Sequence, residues 1–204
     1  RHPRAMSLLG ECYDLGCGVK KDEKRAAELY RAAHEMGYAP ATCSLALCYE
    51  TGTGVEQDKA KAARLYRQAA EQDSARGLYL YGICCEMGRG TAQDSRKAAE
   101  CYRRAYVQGF LPAACALGLC YETGVGVERD LAHAVELYQV GADAGYPPAA
   151  CNLGFCYYMG IGVDEDNKKA AHWFAQAAQK GYPRALNLLG ECYDLGCGVK
   201  KDEK

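Results

Sequence analysis

Residues 117–145 read LGLCYETGVGVERDLAHAVELYQVGADAG, and this stretch is most of one period of a repeat that fills the chain. The pattern returns every 36 residues without an insertion or deletion. Cysteine marks one phase of the period at Cys12, Cys48, Cys84, Cys120, Cys156 and Cys192, and glycine marks another at Gly16, Gly52, Gly88, Gly124, Gly160 and Gly196. A fixed period of about 20 to 50 residues is typical of proteins built from stacked units.

Each period consists of two segments joined by a short glycine-rich loop. Both segments are too long for single strands, lack period-two alternation and are rich in Ala, Leu, Glu and Arg, which favour helix. We therefore predict a helical hairpin per period, with a first helix (A) and a second helix (B). The A helices are predicted near 4–16, 40–52, 76–88, 112–124, 148–160 and 184–196, and the B helices near 22–36, 58–72, 94–108, 130–144 and 166–180.

The boundaries of these helices are marked by residues with known capping roles. Aspartate precedes each B helix, as at Asp130, where its carboxylate can accept orphan backbone N–H groups. Glycine follows the B helix, as at Gly109, where a positive φ is common, but Asp73 replaces it in the second period. Pro40 and its counterparts stand at the start of A helices, where a missing N–H costs nothing. One hairpin cannot bury its apolar face alone, so the sequence predicts an all-α solenoid.

The composition excludes several classes of function. Of the 204 residues, 49% are hydrophobic and 25% charged, and the net charge is −1. Because the net charge is close to zero, the protein has no overall electrostatic field that would attract nucleic acid, and we expect no nucleic acid partner. No apolar run reaches the roughly 18 residues of a membrane span, so we expect no membrane insertion.

The consensus A…LGxCYxxGxGVxxDxxxA…LYxxA…G resembles the Sel-1-like repeat (SLR) family of tetratricopeptide-like proteins. Residues 117–145 contain nearly the whole pattern, and the resemblance extends over the full chain. It implies a right-handed superhelix that serves as a protein-interaction scaffold, with no catalytic activity. We expect one domain, 1–204, made of repeats at about 4–39, 40–75, 76–111, 112–147 and 148–183 and a half repeat at 184–204 as a cap. Cys85 replaces the tyrosine found at Tyr49 and Tyr121, which predicts looser packing in the third repeat.

Positions that vary between repeats are candidates for binding, because the positions that stay constant make the fold. One varied position reads Glu11, Leu47, Ile83, Leu119, Phe155 and Glu191, and others lie three or four residues away on the same helix face. By the resemblance, A helices line the concave surface, which would present an apolar stripe edged by acidic residues. The predicted partner-binding residues are Leu47, Ile83, Leu119, Phe155, Leu80, Asn152, Glu50, Glu86, Glu122 and Tyr158.

The ligand predicted for this stripe is an amphipathic helix or extended peptide with basic flanks. The alternative is that the same residues are ordinary core between neighbouring A helices. A Leu119→Asp substitution separates the two interpretations, since a loss of several kcal/mol of stability would identify Leu119 as core.

Thirteen cysteines suggest a disulfide framework, but their positions argue against one. Equivalent cysteines in stacked repeats are about 10 Å apart, beyond the roughly 7 Å limit for bridged Cα atoms. We expect buried, unpaired thiols, which favour a cytoplasmic location. No CxxC or CxxH motif is present, so no metal site and no cofactor are predicted. An alternative function that remains open is a thiol-based redox or metal-responsive array.

Catalytic motifs are lacking in the sequence. The four histidines (His2, His34, His133 and His172) occupy different phases of the period, and the GxGV loops follow helices, whereas phosphate loops follow strands. We therefore expect no enzyme.

The two ends of the chain are near copies of each other, with LLGECYDLGCGVKKDEK at both 8–24 and 188–204. This indicates either a recent duplication within a longer array or an engineered or excised array without a native ligand. It also allows self-association through residues 188–204, which could replace residues 8–24 in a second copy.

Overall fold

In the computed structural model, which describes residues His2–Lys201, the chain is all helical. Eleven α-helices of 13 residues each account for the regular structure of this range, and no strand occurs within it. The A helices are α1 (Pro3–Leu15), α3 (Ala39–Thr51), α5 (Ala75–Met87), α7 (Leu111–Thr123), α9 (Pro147–Met159) and α11 (Pro183–Leu195). The B helices are α2 (Glu23–Glu35), α4 (Lys59–Glu71), α6 (Ser95–Val107), α8 (Leu131–Asp143) and α10 (Asn167–Gln179).

These bounds agree with the predicted helices to within one residue. Glycines such as Gly16, which the prediction placed inside the A helix, instead close it in the left-handed conformation, with φ 73° at Gly16. Asp202, Glu203 and Lys204, the end of the predicted half repeat and of the segment 188–204, lie outside the described residues, as does Arg1.

The chain divides after Gly109 into two compact units. The first contains α1–α6 as three hairpins, in which α2 also contacts α3, α4 contacts α5, and α3 contacts both α1 and α5. The second contains α7–α10 as two hairpins and α11, which packs against α10. In both units the repeating element is the antiparallel A–B hairpin, as the sequence predicts for a solenoid with this period.

The predicted caps are present. The carboxylate of Asp58 accepts a hydrogen bond from the backbone N–H of Lys61 at 2.8 Å, and Asp22, Asp94, Asp130 and Asp166 cap their helices in the same way. The backbone N–H of Asp58 also bonds to the carbonyl of Tyr49 at 2.8 Å, which ties the loop to the A helix. After the B helices, Gly109 has φ 78°, and Asp73 adopts φ 56°, a conformation that favours glycine.

A glycine inside four of the A helices, as in α5 and α7, makes room for the aromatic ring of the B helix in the same hairpin. A Cβ added to Gly82 would lie 2.6 Å from the ring of Tyr102, and one added to Gly118 would lie 2.6 Å from the ring of Tyr138. Both rings are fully buried. The glycine therefore allows the close approach of the two helices, which offsets its poor helix propensity.

The second glycine of the GxGV loop lies against the preceding B helix. A Cβ at Gly54 would overlap the backbone of Glu23, and one at Gly90 would overlap the backbone of Lys59. The same holds in the second unit for Gly162 against Leu131. This position therefore needs glycine both for its positive φ and for contact with the adjacent repeat.

The third hairpin is not loosely packed, so the prediction from Cys85 was wrong. Tyr81 stands at a phase where other repeats have leucine, and both Tyr81 and Cys85 are buried. Lys97 Nζ lies 5.4 Å from the centre of the Tyr81 ring, as Lys61 Nζ lies 4.1 Å from that of Tyr49. Tyr81 therefore stands one helical turn earlier in its A helix than Tyr49 does, and its ring still lies near the equivalent lysine of the B helix.

Candidate functional site

The varied positions of the A helices form the surface that we call the A-helix face, and each unit has its own portion. In the first unit it comprises Leu8, Glu11, Leu15, Ser44, Leu47, Thr51, Leu80, Ile83 and Met87. In the second unit it comprises Ala116, Leu119, Thr123, Asn152, Phe155 and Met159. On α3, α7 and α9 the constant positions beside them are buried, namely Leu45, Cys48, Leu117, Cys120, Leu153 and Cys156.

In the first unit, Leu47 is 43% exposed, while Leu45, two residues earlier, is 2% exposed. Leu15 and Met87 are more exposed than Leu47, and Ile83 and Leu80 are half-buried. An apolar surface is therefore available to a partner on α1, α3 and α5.

In the second unit the predicted residues have different environments. Leu119 is 46% exposed. Phe155 is half-buried beneath Arg184, whose guanidinium carbon lies 5.3 Å from the ring centre. Asn152 accepts a 3.1 Å hydrogen bond from Arg184 and donates one to Cys115 Sγ at 3.4 Å. Phe155 and Asn152 therefore already have partners within the chain, whereas Leu119 is open.

The predicted glutamates are joined to the buried tyrosines of their own hairpins. The hydroxyls of Tyr66, Tyr102 and Tyr138 donate to Glu50, Glu86 and Glu122 at 2.9, 2.7 and 2.7 Å, respectively. Burial, and then the neighbouring carboxylate, raises the pKa of Tyr66 and of Tyr138. One oxygen of each glutamate is thus used within the fold, and the other borders the A-helix face.

The fifth hairpin replaces this hydrogen bond with an aromatic contact. Phe174 stands where the other hairpins have tyrosine, and Tyr158 stands where they have an acidic residue. The two ring centres are 6.5 Å apart in an edge-to-face arrangement. Tyr158, a predicted binding residue, is therefore half-buried against its own hairpin.

A pocket of about 330 Å³ lies on the A-helix face of the first unit. Residues from α1, α2 and α3 line it together with Arg76 of α5: Glu11, Asp14, Leu15, Tyr30, Ser44, Leu47, Cys48, Thr51, Thr53 and Arg76. The sequence analysis did not identify Tyr30 or Arg76 as part of a site. The sequence feature that could have pointed to this pocket is Asp14, because the next three hairpins have glutamate at the same phase of the repeat.

The thirteen cysteines are free, and nine of them are buried. Burial raises the pKa of Cys84 and Cys156 to about 12 and that of Cys48 to about 11. Within residues 2–201 no group of His, Cys, Asp and Glu side chains is arranged to hold a metal ion. No helix of that range is long and apolar enough to cross a membrane.

Comparison with known proteins identifies the repeat and the fold. A family model described as Sel1 repeat matches residues 3–38, 39–74, 75–110, 111–146, 147–182 and 183–204. A Sel1 repeat protein from Oxalobacter formigenes is 36% identical with a TM-score of 0.92, over 100% of this chain and 81% of the other. A search of curated proteins found no match.

Two further structures are similar. The c5321 protein, a protective antigen of uropathogenic Escherichia coli strains with an SLR fold, is 33% identical with a TM-score of 0.83. That comparison covers 98% of this chain but 43% of the other. Cysteine rich protein B of Helicobacter pylori is 25% identical with a TM-score of 0.51, over 65% of this chain and 96% of the other.

Proposed function

The chain belongs to the Sel1 repeat family, and from that premise we propose that it is a non-catalytic scaffold that binds an amphipathic peptide segment of another protein on its A-helix face. Sel1 repeat proteins are generally protein-interaction scaffolds. The A-helix face is the proposed binding surface. The proposed partner is a protein or peptide with apolar and basic side chains.

The exposure of apolar side chains at the varied positions supports this surface most strongly. Leu47 and Leu119 stand open to solvent on α3 and α7, whose constant positions, such as Leu45 and Leu117, are buried. A side chain that only filled the core between neighbouring A helices would be covered by those helices. Exposed apolar side chains rimmed by polar groups commonly mark an interaction site.

The charges at the edge of the face favour a basic partner. In the first unit the carboxylates of Glu11, Asp14, Glu50 and Glu86 border the apolar residues. Glu50 has one cation near it, Arg89, at 3.7 Å and partly exposed. Complementary charge steers association and selects the partner, although exposed pairs add little affinity.

The thiol-based alternative has less support. A thiolate is the form that reacts with oxidants and binds metals, and burial raises the pKa of Cys84, Cys101 and Cys156 well above neutral pH. These thiols stay protonated near neutral pH, where a responsive array would need thiolates.

The experiment that tests the proposed function is selection of ligands from a random displayed peptide library against the 204-residue protein. We expect the selected peptides to combine apolar residues with Lys or Arg. Binding should fall at least about tenfold in Leu47→Asp or Leu119→Asp, the loss expected when a central apolar contact is replaced by a charge. Val107→Asp and Val140→Asp are the matched controls, since both valines are exposed on B helices.

Two results would oppose the proposal. One is recovery of no peptide, as an engineered or excised array without a native ligand predicts. The other is equal loss of binding in the B-helix controls, which would place the ligand elsewhere or reflect net charge alone.

A second proposal is self-association of a protein with these 204 residues. Gly10 of α1 lies under the ring of Tyr30, whereas its counterpart Gly190 of α11 is exposed, with nothing within 4 Å of an added Cβ. Because residues 188–204 repeat the sequence of 8–24, α11 has the residues needed to pack on α2 of a second copy. Light scattering over a range of concentrations tests this, and a monomer at every concentration would contradict it.

A further inference from the structure

The first hairpin breaks a pattern that the next three hairpins share. In those three, a buried tyrosine of the B helix donates a hydrogen bond to a glutamate of the A helix. In the first hairpin the tyrosine is Tyr30 and the acidic residue is Asp14. Aspartate is one methylene shorter than glutamate, so its carboxylate is drawn back toward α1.

The hydroxyl of Tyr30 has no hydrogen-bond partner among residues 2–201. The residue is 3% exposed, and no hydrogen bond from this hydroxyl to any residue of the described range 2–201 is formed. Burial and the nearby carboxylates of Asp14 and Glu11 raise the pKa of Tyr30, so the hydroxyl keeps its proton. The ring of Tyr30 is buried, but its unpaired hydroxyl is not sealed off, because Tyr30 lines a pocket in which a ligand can meet it.

The pocket of about 330 Å³ occupies this open position. Leu15 and Leu47 supply apolar walls, and Asp14 and Glu11 supply carboxylates. The hydroxyl of Thr51 is already used, since it donates to the carbonyl of Leu47 at 2.9 Å. Apart from Arg76, the groups left to meet a ligand are therefore two carboxylates and one phenol around an apolar cleft.

Arg76 is the one cation among the residues that line the pocket. With two carboxylates and one guanidinium, the lining has a net charge of about −1 with both acids ionised. Arg76 is exposed, and no ion pair joins it to Glu11 or Asp14 within the described part of the chain. It competes with an incoming cation without neutralising the pocket.

From these observations we propose that the pocket between α1, α2 and α3 binds one arginine side chain of the partner. The aliphatic stem would lie along Leu15 and Leu47, and the guanidinium would donate to Asp14, Glu11 and the Tyr30 oxygen. Arginine fits this set because it has five N–H donors and pairs with carboxylates in two parallel hydrogen bonds. This inference rests on the proposed function, for which it specifies one basic residue of the peptide and the repeat that receives it.

The experiment uses the full chain and N-acetyl-arginine amide, which carries the proposed side chain without a partner protein. Titration followed by amide NMR shifts should give saturable changes at residues 11–15, 30 and 47–51. N-acetyl-norleucine amide, which has a similar stem but no charge, should leave these shifts unchanged. The titration does not depend on peptide selection, so failure of the pocket and failure of the proposed function give different results.

Three variants separate a formed pocket from general attraction by acidic residues. Asp14→Asn should weaken binding at least about tenfold, as expected when a hydrogen bond to a charged group is lost. Arg76→Gln should tighten binding, because the competing cation is gone. Asp14→Glu keeps the charge but restores the tyrosine–glutamate pair, so it should close the pocket and weaken binding as strongly as Asp14→Asn.

Clear outcomes oppose the proposal. It is overturned if no saturable shifts appear, if Asp14→Glu binds as well as the original protein, or if Arg76→Gln weakens binding. A Glu28→Gln variant is the control for net charge, since Glu28 is exposed on α2 and pairs with Arg25. Loss of binding in that control equal to the loss in Asp14→Asn would also overturn it.

Discussion

The hydroxyl of Tyr138 donates a 2.7 Å hydrogen bond to Glu122, and this bond joins the B helix of a hairpin to its A helix. The tyrosine ring is fully buried and fills the space that Gly118 leaves open. Tyr138 and Glu122 thus hold the two helices together, and their hydrogen bond positions a carboxylate at the edge of the A-helix face.

Removal of this hydroxyl should destabilise the protein. Tyr138→Phe is expected to lower the free energy of unfolding by about 1.5–3 kcal/mol, because a hydrogen bond to a charged group is lost and Glu122 loses a partner. Tyr30→Phe is the matched control, and its effect should stay below about 0.5 kcal/mol since the Tyr30 hydroxyl has no partner in the described part of the chain. Urea unfolding measures both, and equal losses would contradict the assignment.

Alkaline pH should destabilise the fold. Burial raises the pKa of Cys84 and Cys156 to about 12, above the value of about 8.5 for a thiol in an unfolded chain. Above about pH 8.5 the unfolded state therefore binds fewer protons than the folded state, and the free energy of unfolding falls as pH rises. Below that pH the buried thiols contribute their full stabilisation, and the contribution is lost as the pH rises through their folded-state pKa of about 12.

Urea unfolding under reducing conditions at several pH values between about 7 and 10 measures this slope. Each such thiol contributes up to about 1.4 kcal/mol per pH unit. Cys156→Ala should flatten the pH dependence, whereas Cys17→Ala should leave it unchanged because Cys17 is exposed. A stability that stays constant or rises over this range would contradict the buried, protonated state of the thiols.

Replacement of glycine by alanine should have opposite effects at two equivalent positions. At Gly82 the new methyl group would meet the Tyr102 ring at 2.6 Å, and we expect a loss of about 1–3 kcal/mol from overpacking. At Gly190 the methyl group has open space, and we expect a gain of up to about 1 kcal/mol from helix propensity. Thermal unfolding of both variants tests the pair, and a stabilised Gly82→Ala would refute the packing role of this glycine.

Asp73 is the residue after α4 that adopts φ 56°, where most other repeats have glycine. Asp73→Gly should stabilise the first unit by about 0.5–1 kcal/mol, because glycine adopts positive φ without steric cost. The substitution also removes the ion pair with Arg104 at 2.8 Å, which is exposed and contributes little. Gly109→Asp is the converse variant and should destabilise. A loss of stability in Asp73→Gly would show that the ion pair outweighs the backbone strain.

Leu119→Asp distinguishes a binding surface from core. Since Leu119 is 46% exposed, we expect this variant to lose less than about 1 kcal/mol of stability. Leu117→Asp should cost at least about 3 kcal/mol, because Leu117 is buried two residues away on the same helix. Calorimetry or urea unfolding measures both, and a loss of several kcal/mol in Leu119→Asp would favour the core interpretation.

The sequence by itself determined the hairpins, the period and the helix ends. These depend on contacts within a few residues, such as an aspartate beside the N–H groups it caps and a glycine that alone tolerates positive φ. The family consensus also followed from the sequence, since the same letters recur at a fixed step.

Only the tertiary structure decided which apolar side chains are covered. Leu45 and Leu47 are both leucines of α3, yet one is buried and the other is open, because coverage depends on where the adjacent helices pass. The same reason explains why Tyr81 can stand in for the tyrosine missing at Cys85. It also explains why Tyr30 has no hydrogen-bond partner among residues 2–201, since the side chain of Asp14 is one methylene shorter than the glutamate at this phase in the next three hairpins.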